Sequence, residues 1–175
     1  MSAIKKINVN DLKKILKQHV LWVNDEGGEC ANLAYANLIG ANLKGADLHY
    51  ASLEGADLEG ADLEGANLEA ADLKGAHLNG ANLKLANLKN AYLHYASLKG
   101  AYLHYANLEG AKLIGADLEG ANLKLASLKG AKLHYASLKG ASLHYASLKG
   151  ADLTGADLEG ARLKGARLER KQEIN

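Results

Sequence analysis

Seven histidines, 20 carboxylates and one cysteine are the side chains here that could ligate a metal or move a proton. Zinc needs its ligands within about 2.0–2.3 Å of one point. Acid–base chemistry needs carboxylates in a concave site that desolvates them and shifts their pKa values. Lys84, Lys89, Lys99, Lys124, Lys129, Lys139 and Lys149, interleaved with tyrosines, offer a second chemistry: phosphate contact with base stacking. The 19 glycines suggest a third, a phosphate-cradling loop, which needs a strand before it and a helix after it. Each of these depends on what the backbone brings together.

The backbone is set by a period of five. Alanine recurs at every fifth position from Ala31 to Ala166 and leucine from Leu33 to Leu168, which makes 28 unbroken units of Ala-x-Leu-x-x. Neither the 3.6-residue period of a helix nor the two-residue period of a strand fits. A short fixed period is the mark of a solenoid, whose coils bury apolar residues only by stacking on their neighbours. Ala-x-Leu puts two apolar side chains on one side of a short extended segment, and the next two residues, usually ending in glycine, turn the chain.

Stretches such as Ala36-Asn37-Leu38-Ile39-Gly40, Ala41-Asn42-Leu43-Lys44-Gly45 and Ala61-Asp62-Leu63-Glu64-Gly65 resemble the A-(D/N)-L-x-x unit of the pentapeptide repeat proteins. The resemblance covers residues 31–170. It implies an all-β fold, a right-handed quadrilateral parallel β-helix of about seven coils, with four units per coil. At roughly 4.8 Å per coil the rod is on the order of 34 Å long. The 20-residue coil has independent support. Residues 81–120 match residues 121–160 at 32 of 40 positions, an offset of two whole coils that keeps each residue on its own side.

Four units per coil sort the outer residues into columns. On the third side the last position of the unit reads Gly45, Gly65, Leu85, Tyr105, Leu125, Tyr145 and Gly165. Leu85, Tyr105, Leu125 and Tyr145 thus form an outward apolar column, preceded by Lys84, His104, Lys124 and His144. Such a column is a candidate contact surface, although its members stacking on one another would account for it equally well. The first side carries Tyr35, Tyr95 and Tyr135 at the same position. His94 and His134 fall two coils apart, about 10 Å, as do His104 and His144, so no three of these histidines converge and no metal or cofactor is expected. Asp and Asn before Leu read as turn-bonding side chains that satisfy backbone donors between coils. No catalytic residue is expected on a filled convex rod.

The charge of +1 is unevenly spread. Residues 31–80 hold eight acids against Lys44 and Lys74, net −6; residues 81–150 hold nine lysines against Glu109, Asp117 and Glu119, net +6. Such a bipolar field favours self-association and is screened beyond roughly 8 Å at physiological salt. The acidic band and the scarcity of arginine argue against nucleic acid as a partner.

Residues 1–30 read as an N-terminal capping segment. Leu12, Ile15, Leu16, His19 and Val23 recur at helical spacing beside Trp22, predicting one amphipathic helix over 11–23, N-capped by Asn10 and stopped at Gly27-Gly28. The helix covers the open first coil, with Trp22 plugging it near Leu33 and Leu38; a partner-binding helix is the alternative. The repeats run over 31–170 and a tail over 171–175; within the charged stretch 166–175, Arg167, Arg170 and Lys171 discourage edge-to-edge stacking. Cys30 is a small filler at the junction, and a lone cysteine fits a cytoplasmic location. No apolar run of 18 residues predicts a membrane span. The expectation is a non-enzymatic scaffold for a protein partner or for self-association. The resemblance also implies an alternative, since some members mimic B-DNA and modulate a type II topoisomerase such as gyrase.

Overall fold

The structure, a computed structural model, describes residues 5–168. The chain enters through strand β1 (Lys5–Lys6), forms helix α1 (Val9–Val23) and then winds into the repeats, which begin beside strand β2 (Ala36–Asn37). From there every unit makes one parallel bridge to the residue 20 positions on, from Asn32↔Ser52 to Ser147↔Arg167. Four five-residue units therefore complete one coil.

Each unit uses its backbone in the same way. The Leu33 N–H donates to the Ser52 carbonyl at 2.7 Å, and the Ser52 N–H donates back to the Ala31 carbonyl at 3.0 Å. The Ala36 N–H then closes a turn onto the Leu33 carbonyl at 3.1 Å. That turn needs a positive φ at its third residue, as type II turns do. Accordingly the fifth position of every described unit has φ between 54° and 71°, whether it is glycine or Tyr105. Between corners the alanines and leucines point inward. From Leu48 to Leu148 they are 0–1% exposed, in one continuous core.

Asn and Asp before Leu satisfy backbone donors within their own unit rather than between coils. Asn32 Oδ1 accepts from the Ala34 N–H at 3.2 Å, and Asp62 Oδ1 from the Glu64 N–H at 3.1 Å. Between coils the same residues bond one another: Asn82 Nδ2 donates to Asp62 Oδ1 at 2.9 Å on the third side, and a longer ladder runs along the fourth. Asn107 Nδ2 donates to Asn87 Oδ1 at 3.3 Å, Asn87 to Asn67 at 3.1 Å, and Asn67 to Asp47 Oδ1 at 3.1 Å.

The lead-in differs from expectation in three respects. α1 starts at Val9, and its N-cap is Asn8, not Asn10. Asn8 Oδ1 accepts from the Asp11 N–H at 2.9 Å, the third helical residue, as an N-cap must. Leu12, Ile15 and Leu16 pack against the core, but Trp22 is 38% exposed and does not plug the coil. His19 is instead the fully buried residue of α1, meeting the first coil at the Ala31 N–H. β1 adds a further cover by pairing in parallel with β2, Lys5↔Ala36 and Lys6↔Asn37. Arg170, Lys171 and the tail 171–175 lie outside the described residues.

Candidate functional site

Two places on the rod depart from its monotony: the apolar column and the junction with α1. In the column, the bridges Asn82↔Tyr102, Tyr102↔Asn122 and Asn122↔Ser142 stack the four units in register. Leu85, Tyr105, Leu125 and Tyr145 are 54%, 53%, 39% and 52% exposed, at φ 60°, 62°, 60° and 59°. Left-handed backbone costs an L-residue roughly 1–2 kcal/mol relative to glycine, so four bulky residues sit where glycine is cheaper.

The tyrosines divide into two kinds. A Cβ on Gly165 would fall 2.4 Å from Tyr145 Cδ1, so the Tyr145 ring lies flat on the glycine one coil on. Tyr35, Tyr95 and Tyr135 cover Gly55, Gly115 and Gly155 in the same way. Tyr105 has Leu125, not glycine, one coil on. Tyr145 is thus half engaged within the rod, whereas Leu85, Tyr105 and Leu125 have no glycine to cover. The His104 ring meets the Tyr105 ring edge-on at 6.0 Å between centroids. His144 occupies the same register position two coils further on.

Charge along the rod is partly cancelled from coil to coil. Lys44 and Lys84 reach Glu64 at 3.1 and 3.7 Å, Lys99 reaches Asp117 and Glu119 at 3.1 Å each, and Lys139 reaches Asp157 and Glu159 at 3.2 and 3.1 Å. Among the described residues Lys89, Lys124, Lys129 and Lys149 have no ion pair. Lys124 precedes Leu125, and the other three lie on the fourth side, across the corner from the column.

At the junction the structure joins residues that sequence reasoning kept apart. His19, Asp47 and His49 place their ligating atoms within 4.8 Å of one another. The histidines alone supply no three converging ligands; Asp47 is the third member here. The missed signal was His19 itself, an ionisable residue in the buried stripe of α1. Asp47 Oδ1 contacts His49 Nδ1 at 2.7 Å and accepts from the His49 N–H at 3.3 Å and from the end of the amide ladder. Burial pushes the Asp47 carboxyl up, but the His49 side-chain and backbone hydrogen bonds outweigh it and hold the group below its ordinary value.

His19 stacks on Trp22 at 5.6 Å, and its Nδ1 accepts the Ala31 N–H at 3.0 Å. A backbone N–H can only donate, so Nδ1 holds a lone pair and the proton of the neutral ring sits on Nε2. Nε2 is buried without a hydrogen-bond partner. Burial lowers the pKa of His19; the Asp47 charge raises it in part, and His49 lowers it through its charge and raises it through its backbone. The same tautomer disfavours a metal. Ligation through Nε2 would move the ring proton to Nδ1, facing the Ala31 N–H, whereas metal-bound histidines normally donate their other N–H to an acceptor.

A filled solenoid of 20-residue coils, with its contacts displayed on convex sides, is a scaffold architecture. The profile of the family described as Pentapeptide repeats matches in eight copies, over residues 29–65, 66–104, 106–144 and 131–170. The chain belongs to that family. HetL of the cyanobacterium Nostoc, a pentapeptide repeat protein involved in heterocyst differentiation regulation, is 37% identical over 82% of this chain and 77% of its own, with a TM-score of 0.48. A pentapeptide repeat protein of the Arabidopsis thaliana thylakoid lumen is 34% identical over 53% of this chain and 65% of its own, with a TM-score of 0.52. QnrB1, a plasmid-mediated fluoroquinolone resistance protein, is 20% identical over 81% of this chain and 78% of its own, with a TM-score of 0.40. No curated protein matches the chain. Among the described residues no helix is long and apolar enough to cross a membrane.

Proposed function

We propose that the chain is a non-enzymatic cytoplasmic scaffold, a seven-coil right-handed rod capped by α1, that binds a protein partner along the corner between its third and fourth sides. One observation carries this reading. Leu85, Tyr105 and Leu125 face solvent from backbone that glycine would occupy at less cost, beside Lys89, Lys124, Lys129 and Lys149, which form no ion pair among the described residues. Strain kept at an exposed apolar position points to use of that position, and aromatic anchors ringed by charge are how interfaces are built. The bordering lysines select an acidic partner, and a second copy, with its acidic band over residues 31–80, is one such protein.

A photoreactive amino acid at position 105 tests the reading. It should crosslink to protein in cells, while the same probe at Ile39, which is 55% exposed on the second side, should not. Equal crosslinking at both positions, or none at either, refutes the surface. Sedimentation at low and high salt then separates a second copy from another partner, since a salt-sensitive dimer lost in Tyr105→Ser identifies the copy.

A further inference from the structure

The geometry points to a proton-operated latch at the N-terminal end: α1 docks on the first coil only while His19 Nδ1 is free to accept the Ala31 N–H, and acid releases it. An imidazolium donates at both nitrogens. Protonated His19 would aim an N–H at the Ala31 N–H, which it now meets at 3.0 Å, inside a site from which solvent is excluded. The ring has no alternative acceptor for that proton, because Nδ1 is already committed and Nε2 already carries one.

The groups facing His19 set the depth of the effect. From the fourth side of the first coil come Asp47, whose charge favours the cation, and His49, whose ring charge opposes it while its backbone favours it. Asp25 and Tyr50 line the adjoining cleft with Trp22 and His49, and the Cys30 thiol contacts the Tyr50 carbonyl at 3.5 Å. On α1 itself the residues one turn away, Ile15, Leu16, Trp22 and Val23, carry no charge. Compensation comes from Asp47, whose Oδ1 already takes up the His49 ring and the amide ladder, and from the His49 backbone, and burial outweighs both.

The sign follows from linkage. The docked state binds fewer protons than the released one, so docking is strongest above the ordinary histidine value of 6.5 and is lost as pH falls below it. The docking equilibrium should shift about tenfold per pH unit until docked His19 is itself forced to protonate. Release uncovers Leu33, Leu38 and the open edge of the first coil, while the coils beyond keep their own stacking.

Trp22 is the sole tryptophan and stacks on His19, which makes it a direct reporter. Between pH 6.5 and 4.5 its emission should shift to the red, and amides 9–23 should exchange faster than their intrinsic rates explain, while those of the central coils do not. His19→Asn keeps an acceptor near Nδ1 that never protonates, and should flatten both curves. His49→Asn should leave the transition in place. A cap that stays docked to pH 4.5, or a transition lost in His49→Asn, overturns the latch. Should His19→Asn fail to dock at any pH, long-range proton–nitrogen spectra of the wild type decide: a ring protonated at Nδ1 at pH 7.5 refutes the proposal. So does an increase in cap protection on adding zinc alone, because ligation needs the opposite tautomer.

Discussion

Replacing a corner glycine by alanine should cost two different amounts within a single coil. Gly130 and Gly115 both belong to the coil formed by residues 111–130, at φ 63° and 65°. A Cβ on Gly130 would meet nothing within 4 Å, so Gly130→Ala pays only for left-handed backbone, about 1–2 kcal/mol. A Cβ on Gly115 would lie 2.7 Å from Tyr95 Cδ1 and Cε1. No pair of carbons tolerates that distance, so the ring must swing away. Its contact with the next coil is then lost, at about 0.2–1 kcal/mol by the scale of cross-strand pairs. Gly115→Ala should therefore exceed Gly130→Ala by that amount, and the excess should vanish in a Tyr95→Ser background. Repeat arrays lose stability locally, so the measurement is hydrogen exchange of the amides of that coil and its neighbours, alongside the urea midpoint. Equal costs for the two glycines in the wild type, or an excess that survives Tyr95→Ser, would refute the claim that corner tyrosines serve as covers. The outcome bears on function: if the cover holds, Tyr95 and Tyr135 are structural, and the candidate surface narrows to Leu85, Tyr105 and Leu125, with Tyr145 at its end.

Leu93→Ala removes a fully buried side chain from the central core and should cost about 3–5 kcal/mol, read from the urea midpoint. Asn87→Ala breaks the amide ladder at a residue that both donates and accepts, for about 1–2 kcal/mol and faster exchange in coils 2 to 4. Asp47 contributes stability that is present above its ordinary value of 3.8 and is lost as pH falls through its lower folded value. Asp47→Asn should flatten stability between pH 4 and pH 2, a window distinct from that of His19.

The alanine–leucine period sufficed for the core because burial between Leu48 and Leu148 follows position in the unit. The column was legible for the same reason: an offset of 20 is arithmetic once the coil is known. The corner covers were harder to see. That Tyr95, although 74% exposed, lies against Gly115 depends on rotamer and turn geometry, which no period encodes. The junction was hardest. His19 and Asp47 are 28 residues apart, and only the docking of α1 brings them together. Sequence patterning placed His19 on the buried stripe, but what it would meet there depends on the angle at which the helix crosses the first coil. The N-cap illustrates a smaller ambiguity. Asn8 and Asn10 are equally suitable by type, and only the hydrogen bond from Asp11 distinguishes them.

The topoisomerase-mimic reading can be weighed by charge density. Duplex DNA carries one negative charge per about 1.7 Å of axis. Seven coils at about 4.8 Å would need roughly 20 net negative charges to match it. Residues 31–170 hold 15 acids and 15 bases, a net of zero. The acidic stretch alone approaches the required density, −6 over the two and a half coils of residues 31–80. It is only about 12 Å long, roughly a third of a DNA turn, and is followed at once by the basic stretch. Part of it is also neutralised in place, because Glu64 lies between Lys44 and Lys84. A surface that changes sign within 20 Å repels the basic groove it would have to enter. The chain should therefore leave gyrase supercoiling unchanged at low-micromolar protein in low salt, where long-range attraction is strongest. Inhibition there that fades as salt rises would show that the acidic stretch is enough, and would reverse the ranking of scaffold over mimic.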